Sequence, residues 1–155
     1  MRRDADHARI PVPPPFVFLA FAIAALVLNW GLPFSEPWLT TLRPAGGAAI
    51  VGGLLLGGSA VLTMRQAGTS PDPFEPTAAL VTDGPYRITR NPIYLGFFLI
   101  YLGFTSVAGT LWGLLLSPLL LATVTVAIIR REEEYLAGRF ADRYGAYKAR
   151  VRKWL

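Results

Sequence analysis

Four apolar stretches separated by shorter polar ones dominate the pattern of this 155-residue chain. Residues 16–34 are apolar apart from Asn29 and the Pro33 near their end, and residues 46–64 form a second stretch of similar length. Each approaches the roughly 20 residues that cross a bilayer core. Residues 92–129 carry no charge at all. That run is about twice what one span requires, so it predicts two helices folded as a hairpin over 92–108 and 110–129, turning around Gly109. Pro118 in the fourth span is tolerable if a neighbour satisfies the carbonyl that it frees, and it predicts a kink. After Ile129, Leu136, Phe140, Tyr144, Tyr147 and Val151 recur at helical spacing among charges, predicting an amphipathic helix over 131–155. The expected fold is all-α, an integral membrane protein of about four transmembrane helices with a helix at the interface.

Between the second and third spans, residues 65–91 are polar and interrupted by Pro71, Pro73, Pro76 and Pro85. A continuous helix is excluded there and a structured loop expected. In the second span Ala49, Gly53 and Gly57 fall four apart on one face, so another helix backbone can approach closely, within one protomer or between two. The same face is also a place where an apolar substrate would find room. Residues 1–9 are charged, but no small-x-small cleavage pattern precedes the next span, so the first apolar stretch reads as a retained helix led in by the prolines of residues 11–15. An even number of spans puts both termini and the 65–91 loop on one side. Arg43 is the only basic residue of the opposite connections, which makes the crowded side cytoplasmic.

Composition agrees with this architecture and narrows the chemistry. The chain is 53% hydrophobic and 16% charged, unlike an ordinary soluble domain. It has no cysteine and a single histidine, His7. Thiolate metal sites, disulfides and a cysteine nucleophile are thereby ruled out, and no metal is expected. The formal charge of +5 sits beside the apolar segments, where membrane lipid headgroups account for it and nucleic acid need not.

Two polar clusters flank the hairpin. Gly84-Pro85 predicts a tight turn, Tyr86 offers a ring and a hydroxyl, and Arg90-Asn91-Pro92 opens the third span with Asn91 at or near its N-cap. A helix start beside an arginine suits a carboxylate or phosphate. The second cluster, Arg130, Arg131, Glu132, Glu133 and Glu134, follows the hairpin directly, and an antiparallel hairpin brings the two together. Carboxylates there suit a cationic amino group or a ribose hydroxyl.

The order Thr82-Asp83-Gly84-Pro85-Tyr86-Arg87, then Arg90-Asn91-Pro92-Ile93-Tyr94-Leu95-Gly96, then Arg130, Glu132, Glu133, Leu136, Phe140, Tyr144 and Tyr147 resembles the isoprenylcysteine carboxyl methyltransferase family and the related phospholipid N-methyltransferases. The likeness covers roughly the second half of the chain. It implies a small multi-span enzyme that uses S-adenosylmethionine without a Rossmann domain, acting on a lipidic or lipid-linked acceptor. By the same resemblance Gly84, Pro85, Tyr86, Asn91, Tyr94, Leu95, Glu132 and Glu133 bind the cofactor, while Arg90, Arg130 and Glu133 serve the reaction, the arginines by orienting an anionic group on the acceptor. Family members often carry His at the position of Asn91, and the usual Gly after Phe140 is Ala141 here.

Methyl transfer from a sulfonium needs positioning and exclusion of water rather than an enzyme nucleophile, which suits a chain without cysteine. A sterol-reductase-like oxidoreductase and a non-catalytic helical scaffold are the competing readings. The acceptor and the oligomeric state stay open.

Overall fold

Prolines at the start and glycines at the turns mark out the helices. A computed structural model describes residues 7–34 and 38–155. The connection expected at Ser35, Glu36 and Pro37, and residues 1–6 of the charged leading segment, lie outside the described residues. Helix α1 runs Pro14–Gly31, with proline in its first turn, where a missing N–H costs nothing. A short helix α2, Trp38–Thr41, precedes α3, Arg43–Gln66. The loop that follows contains a 3-10 turn at Gly84–Arg87. Helix α4 runs Pro92–Ala108 and is closed by Gly109 at φ 71, a left-handed cap that glycine adopts without strain. Helix α5, Leu111–Val124, passes through a π turn at Thr125–Ile129 directly into α6, Arg130–Arg150. Three of these helical runs are long and apolar enough to cross a membrane, beginning at Pro14, Arg43 and Leu111, and α4 is a shorter apolar helix.

Helix α4 is the hub, packing against α1, α3 and α5. Its contact with α3 is the most extensive in the molecule and is made by glycines. A Cβ on Gly53 would lie 2.6 Å from the carbonyl oxygen of Gly96, and one on Gly46 would lie 2.8 Å from that of Gly103. The backbones therefore touch, as small residues permit between membrane helices. The face of α3 around Gly53 is thus filled by α4 within the same protomer. This corrects the expectation that it leaves room for a substrate: the Gly96 backbone and Ile100 already occupy the space. On the other side of α4, the Tyr101 hydroxyl donates to the Gly113 carbonyl of α5 at 2.9 Å. At the far end, Trp112 Nε1 donates to Leu32 O at 3.0 Å.

Pro118 lies within α5, which continues through it. The carbonyl that a proline frees is four residues back, that of Leu114, and the Ser117 hydroxyl donates to it at 2.7 Å. Large apolar side chains such as Phe16, Leu19 and Val27 of α1, Leu54, Leu55 and Leu62 of α3, and Leu115 and Leu119 of α5 face outward. Such a rim suits lipid.

The last helix departs from expectation in three ways. It does not start anew after the fourth span but continues α5 through the π turn, and it ends at Arg150 rather than at 155. It is also broken at Ala141, at φ 39 and ψ −116, a backbone region that a side chain disfavours. The break turns the second half of α6 back over the ends of α3 and α4, where Tyr144 and Tyr147 pack with Tyr86 and Ala60.

Candidate active site

Gly84 takes φ 58 and opens the 3-10 turn, and a Cβ there would stand 3.0 Å from the Thr63 hydroxyl of α3. Glycine is favoured for that conformation, and the tight approach of Thr63 adds to the preference. The turn is fastened from above, since the Tyr147 hydroxyl donates to the Tyr86 carbonyl at 2.7 Å. Arg87 points away and pairs with Asp83 at the surface, an exposed pair of little energetic weight.

Beyond the turn the chain enters α4 through Thr89, Arg90 and Asn91. Arg90 Nη2 lies 3.0 Å from Glu133 Oε1, and the side chains are only 8% and 12% exposed. The other carboxylate oxygen is 2.9 Å from Lys153 Nζ. Two further nitrogens of Arg90, Nε and Nη1, are buried with no hydrogen-bond partner. A buried guanidinium with donors to spare is costly unless an acceptor arrives. Asn91 stands at the N-cap of α4 but makes no side-chain cap bond; its Nδ2 donates instead to Lys153 O at 2.8 Å.

One helical turn further, the Tyr94 hydroxyl donates to Glu132 Oε1 at 2.5 Å. Burial pushes the Glu132 carboxyl up to about 7, the Tyr94 hydrogen bond opposes this, and neighbouring Glu133 adds to it. Burial also raises the phenols of Tyr86 and Tyr144, and takes Tyr147 to about 12. These three hydroxyls remain protonated and able to donate.

One cavity of about 130 Å³ lies among these groups, many times the 10–15 Å³ or so that one water needs. Tyr86, Arg90, Asn91, Tyr94, Glu132 and Glu133 line it together, from α4 on one side and α6 on the other. Loop residues 70–73 and 77–81 roof it, held in part by the Thr77 N–H donating to the Tyr135 hydroxyl at 3.1 Å. The remaining expected residues stand apart. Gly84 and Pro85 shape the turn behind the wall, and the Leu95 N–H is spent within the helix on Asn91 O at 2.9 Å. Arg130 is exposed, and neither it nor these three lines the cavity.

Tyr144 and Tyr147 also line the cavity, although the sequence presents them as part of an apolar stripe. Their hydroxyls, three residues apart on one helical face, were the available signal. Thr89 and Lys153 bear on the site with no sequence signal at all. Thr89 is fully buried, its Oγ1 donating to Lys153 O at 3.0 Å and accepting from the Asn91 N–H at 3.2 Å.

Comparison with known proteins bears on the same region. A family model described as phospholipid methyltransferase matches residues 42–143. A protein-S-isoprenylcysteine O-methyltransferase of Schizosaccharomyces pombe is 40% identical over 72 residues, which make up 46% of this chain but only 30% of that protein. An uncharacterized protein of Haemophilus influenzae is 36% identical over 63 residues, 41% of this chain and 100% of that protein. No solved structure matches.

Proposed function

Since the chain belongs to the phospholipid methyltransferase family, we propose that it is a single-domain membrane methyltransferase carrying a methyl group from S-adenosylmethionine to a lipidic or lipid-linked acceptor. The observation that carries this reading is the convergence of both polar clusters on one cavity at the ends of α4 and α5. The residues fit the cofactor's amino-acid end. Arg90 has buried donors without partners, and Glu133 stands beside it. A ligand bearing both a carboxylate and an ammonium satisfies such a pair.

When bound, S-adenosylmethionine supplies an electrophilic methyl on a sulfonium. In this reading Arg90 binds a carboxylate through Nε and Nη1, and Glu133 with Asn91 receives the ammonium. Tyr86 and Tyr94 border the space for the adenosine, while Gly84, Pro85 and Leu95 set the backbone on which these side chains stand. Tyr144, Tyr147 and the 70–81 loop keep water out, which strengthens every charge contact inside. Arg130, exposed just outside the cavity, serves the acceptor's anionic headgroup. The site faces the cytoplasm, on the strength of the basic residues at that end of the helices.

A carboxylate acceptor, as in a prenylcysteine-like lipid, needs no base. One observation favours a second acceptor, the amine of a phospholipid. Methylating an ammonium requires a proton to leave, and Glu132, buried, hydrogen-bonded by Tyr94 and pushed up to about 7, is suited to accept it.

The test is calorimetric titration of the detergent-solubilised protein with S-adenosylmethionine and S-adenosylhomocysteine, repeated on Asn91→Ala and Glu133→Ala. Saturable binding that both changes weaken supports the cofactor reading and justifies screening labelled methyl transfer to lipid carboxylates and lipid amines. A folded wild type that binds neither ligand in the presence of lipid would sink it.

A further inference from the structure

After α6 ends, the backbone straightens at Val151, φ −119 and ψ 132, and the next residues run back across the start of α4. The Arg90 N–H donates to Arg152 O at 2.9 Å. The carbonyl of Lys153 accepts from both Thr89 Oγ1 and Asn91 Nδ2, at 3.0 and 2.8 Å. The Lys153 ammonium reaches the other cluster, 2.9 Å from Glu133 Oε2. Lys153 therefore touches both halves of the site, yet it does not line the cavity.

We propose that Lys153 is a positioning residue that sets the orientation of Glu133 and Asn91 toward the cofactor. This rests on the reading of those two residues as cofactor-holding groups. A carboxylate gripped on one oxygen can still swing about its side-chain torsions. Glu133 has a cation at each oxygen, Arg90 3.0 Å from Oε1, which makes no hydrogen bond, and Lys153 2.9 Å from Oε2. An amide has one donor end and one acceptor end, so committing Asn91 Nδ2 to the Lys153 carbonyl leaves Oδ1 to receive a donor from a ligand. A single residue thus fixes two acceptors, one through its side chain and one through its backbone. Thr89 shares the task, because its hydroxyl bridges the Lys153 carbonyl and the Asn91 N–H.

The full chain in detergent, with S-adenosylhomocysteine as probe, offers two readouts: the dissociation constant, and ligand-free amide exchange in the peptide carrying Arg90 and Asn91. Lys153→Met keeps the aliphatic stem and removes the charge. It is expected to weaken binding roughly tenfold and to speed exchange at Arg90. Lys153→Arg should restore both to within about threefold of wild type, because it returns a cation to Glu133. Thr89→Val, of equal volume, should weaken binding in the same direction. Unchanged affinity and exchange in Lys153→Met would overturn the proposal, as would a Lys153→Arg variant no better than Lys153→Met. Should the wild type fail to bind the probe, the cofactor reading falls, and exchange decides alone. Faster Arg90 exchange in Lys153→Met, reversed by Lys153→Arg, upholds the positioning role; unchanged exchange overturns it.

Discussion

The hydroxyl of Tyr94 and the carboxyl of Glu132, 38 residues apart in the chain, meet at 2.5 Å beside the cavity that both line. Glu132 is held well above the ordinary carboxylate value of 4.5, at about 7. A group raised on folding contributes stability that is full below its unfolded value and lost as pH climbs through the folded one. The thermal midpoint of the wild type should therefore fall between pH 4.5 and 7, and Glu132→Gln should flatten that fall and melt higher than wild type above it. Tyr94→Phe removes a lowering influence, so its loss should extend to higher pH. Melts across a buffer series decide this, and parallel curves for wild type and Glu132→Gln would refute it.

Two arginines that the sequence presents as equals should part company. Arg90 is buried with spare donors, whereas Arg130 is exposed. Arg90→Met should weaken S-adenosylhomocysteine binding by roughly tenfold to a hundredfold. Arg130→Met should change it less than about threefold. Calorimetry on both variants provides the comparison, and equal losses would return Arg130 to the cofactor site.

The glycine contact between α3 and α4 predicts a steep contrast within one helix pair. A Cβ on Gly96 would meet Gly53 O at 2.8 Å and the Gly57 backbone, while one on Gly58 meets nothing within 4 Å. Gly96→Ala should cost about 1–3 kcal/mol from forced backbone separation. Gly58→Ala should be neutral or gain up to about 1 kcal/mol from lost chain freedom. Unfolding in micelles measures both.

Ser117 and Pro118 should be coupled. Ser117→Ala strands the Leu114 carbonyl and should cost about 1–2 kcal/mol. In a Pro118→Ala background, residue 118 regains an N–H for that carbonyl, so the same change should cost almost nothing. A double-mutant cycle with no coupling would show that the hydroxyl is idle.

At Ala141 a side chain sits where φ is 39. Ala141→Gly should raise stability by about 1 kcal/mol by removing that strain, read as a higher thermal midpoint. A lower midpoint would mean that the glycine's freedom in the unfolded chain outweighs the relief.

The membrane helices were legible because lipid imposes a crude rule: the uncharged run from Pro92 to Ile129 can only fold back on itself, and Gly109 marks where. The proximity of Arg90 and Asn91 to Glu132 and Glu133 followed from that hairpin alone. What stayed hidden depends on backbone more than on side-chain pattern. The spacing of Leu136, Phe140, Tyr144 and Tyr147 runs through Ala141 without a break, and alanine is a strong helix former, so the only trace of the turn there is the glycine that the family usually carries at that position. The pairing of Thr89 to Asn91 with Arg152 and Lys153 is accepted entirely by the backbone carbonyls of the latter two, which every residue has.

The π turn at Thr125–Ile129 sits between the last membrane helix and the carboxylates. A π turn holds one residue more than an α turn, and a residue of α-helix is worth about 100° of rotation. The azimuth of Glu132 and Glu133 is therefore dialled by that extra residue and not inherited from the span before it. The composition of α5 can drift as lipid allows, but its length in residues up to Arg130 cannot, because it is the phase that aims the carboxylates at α4.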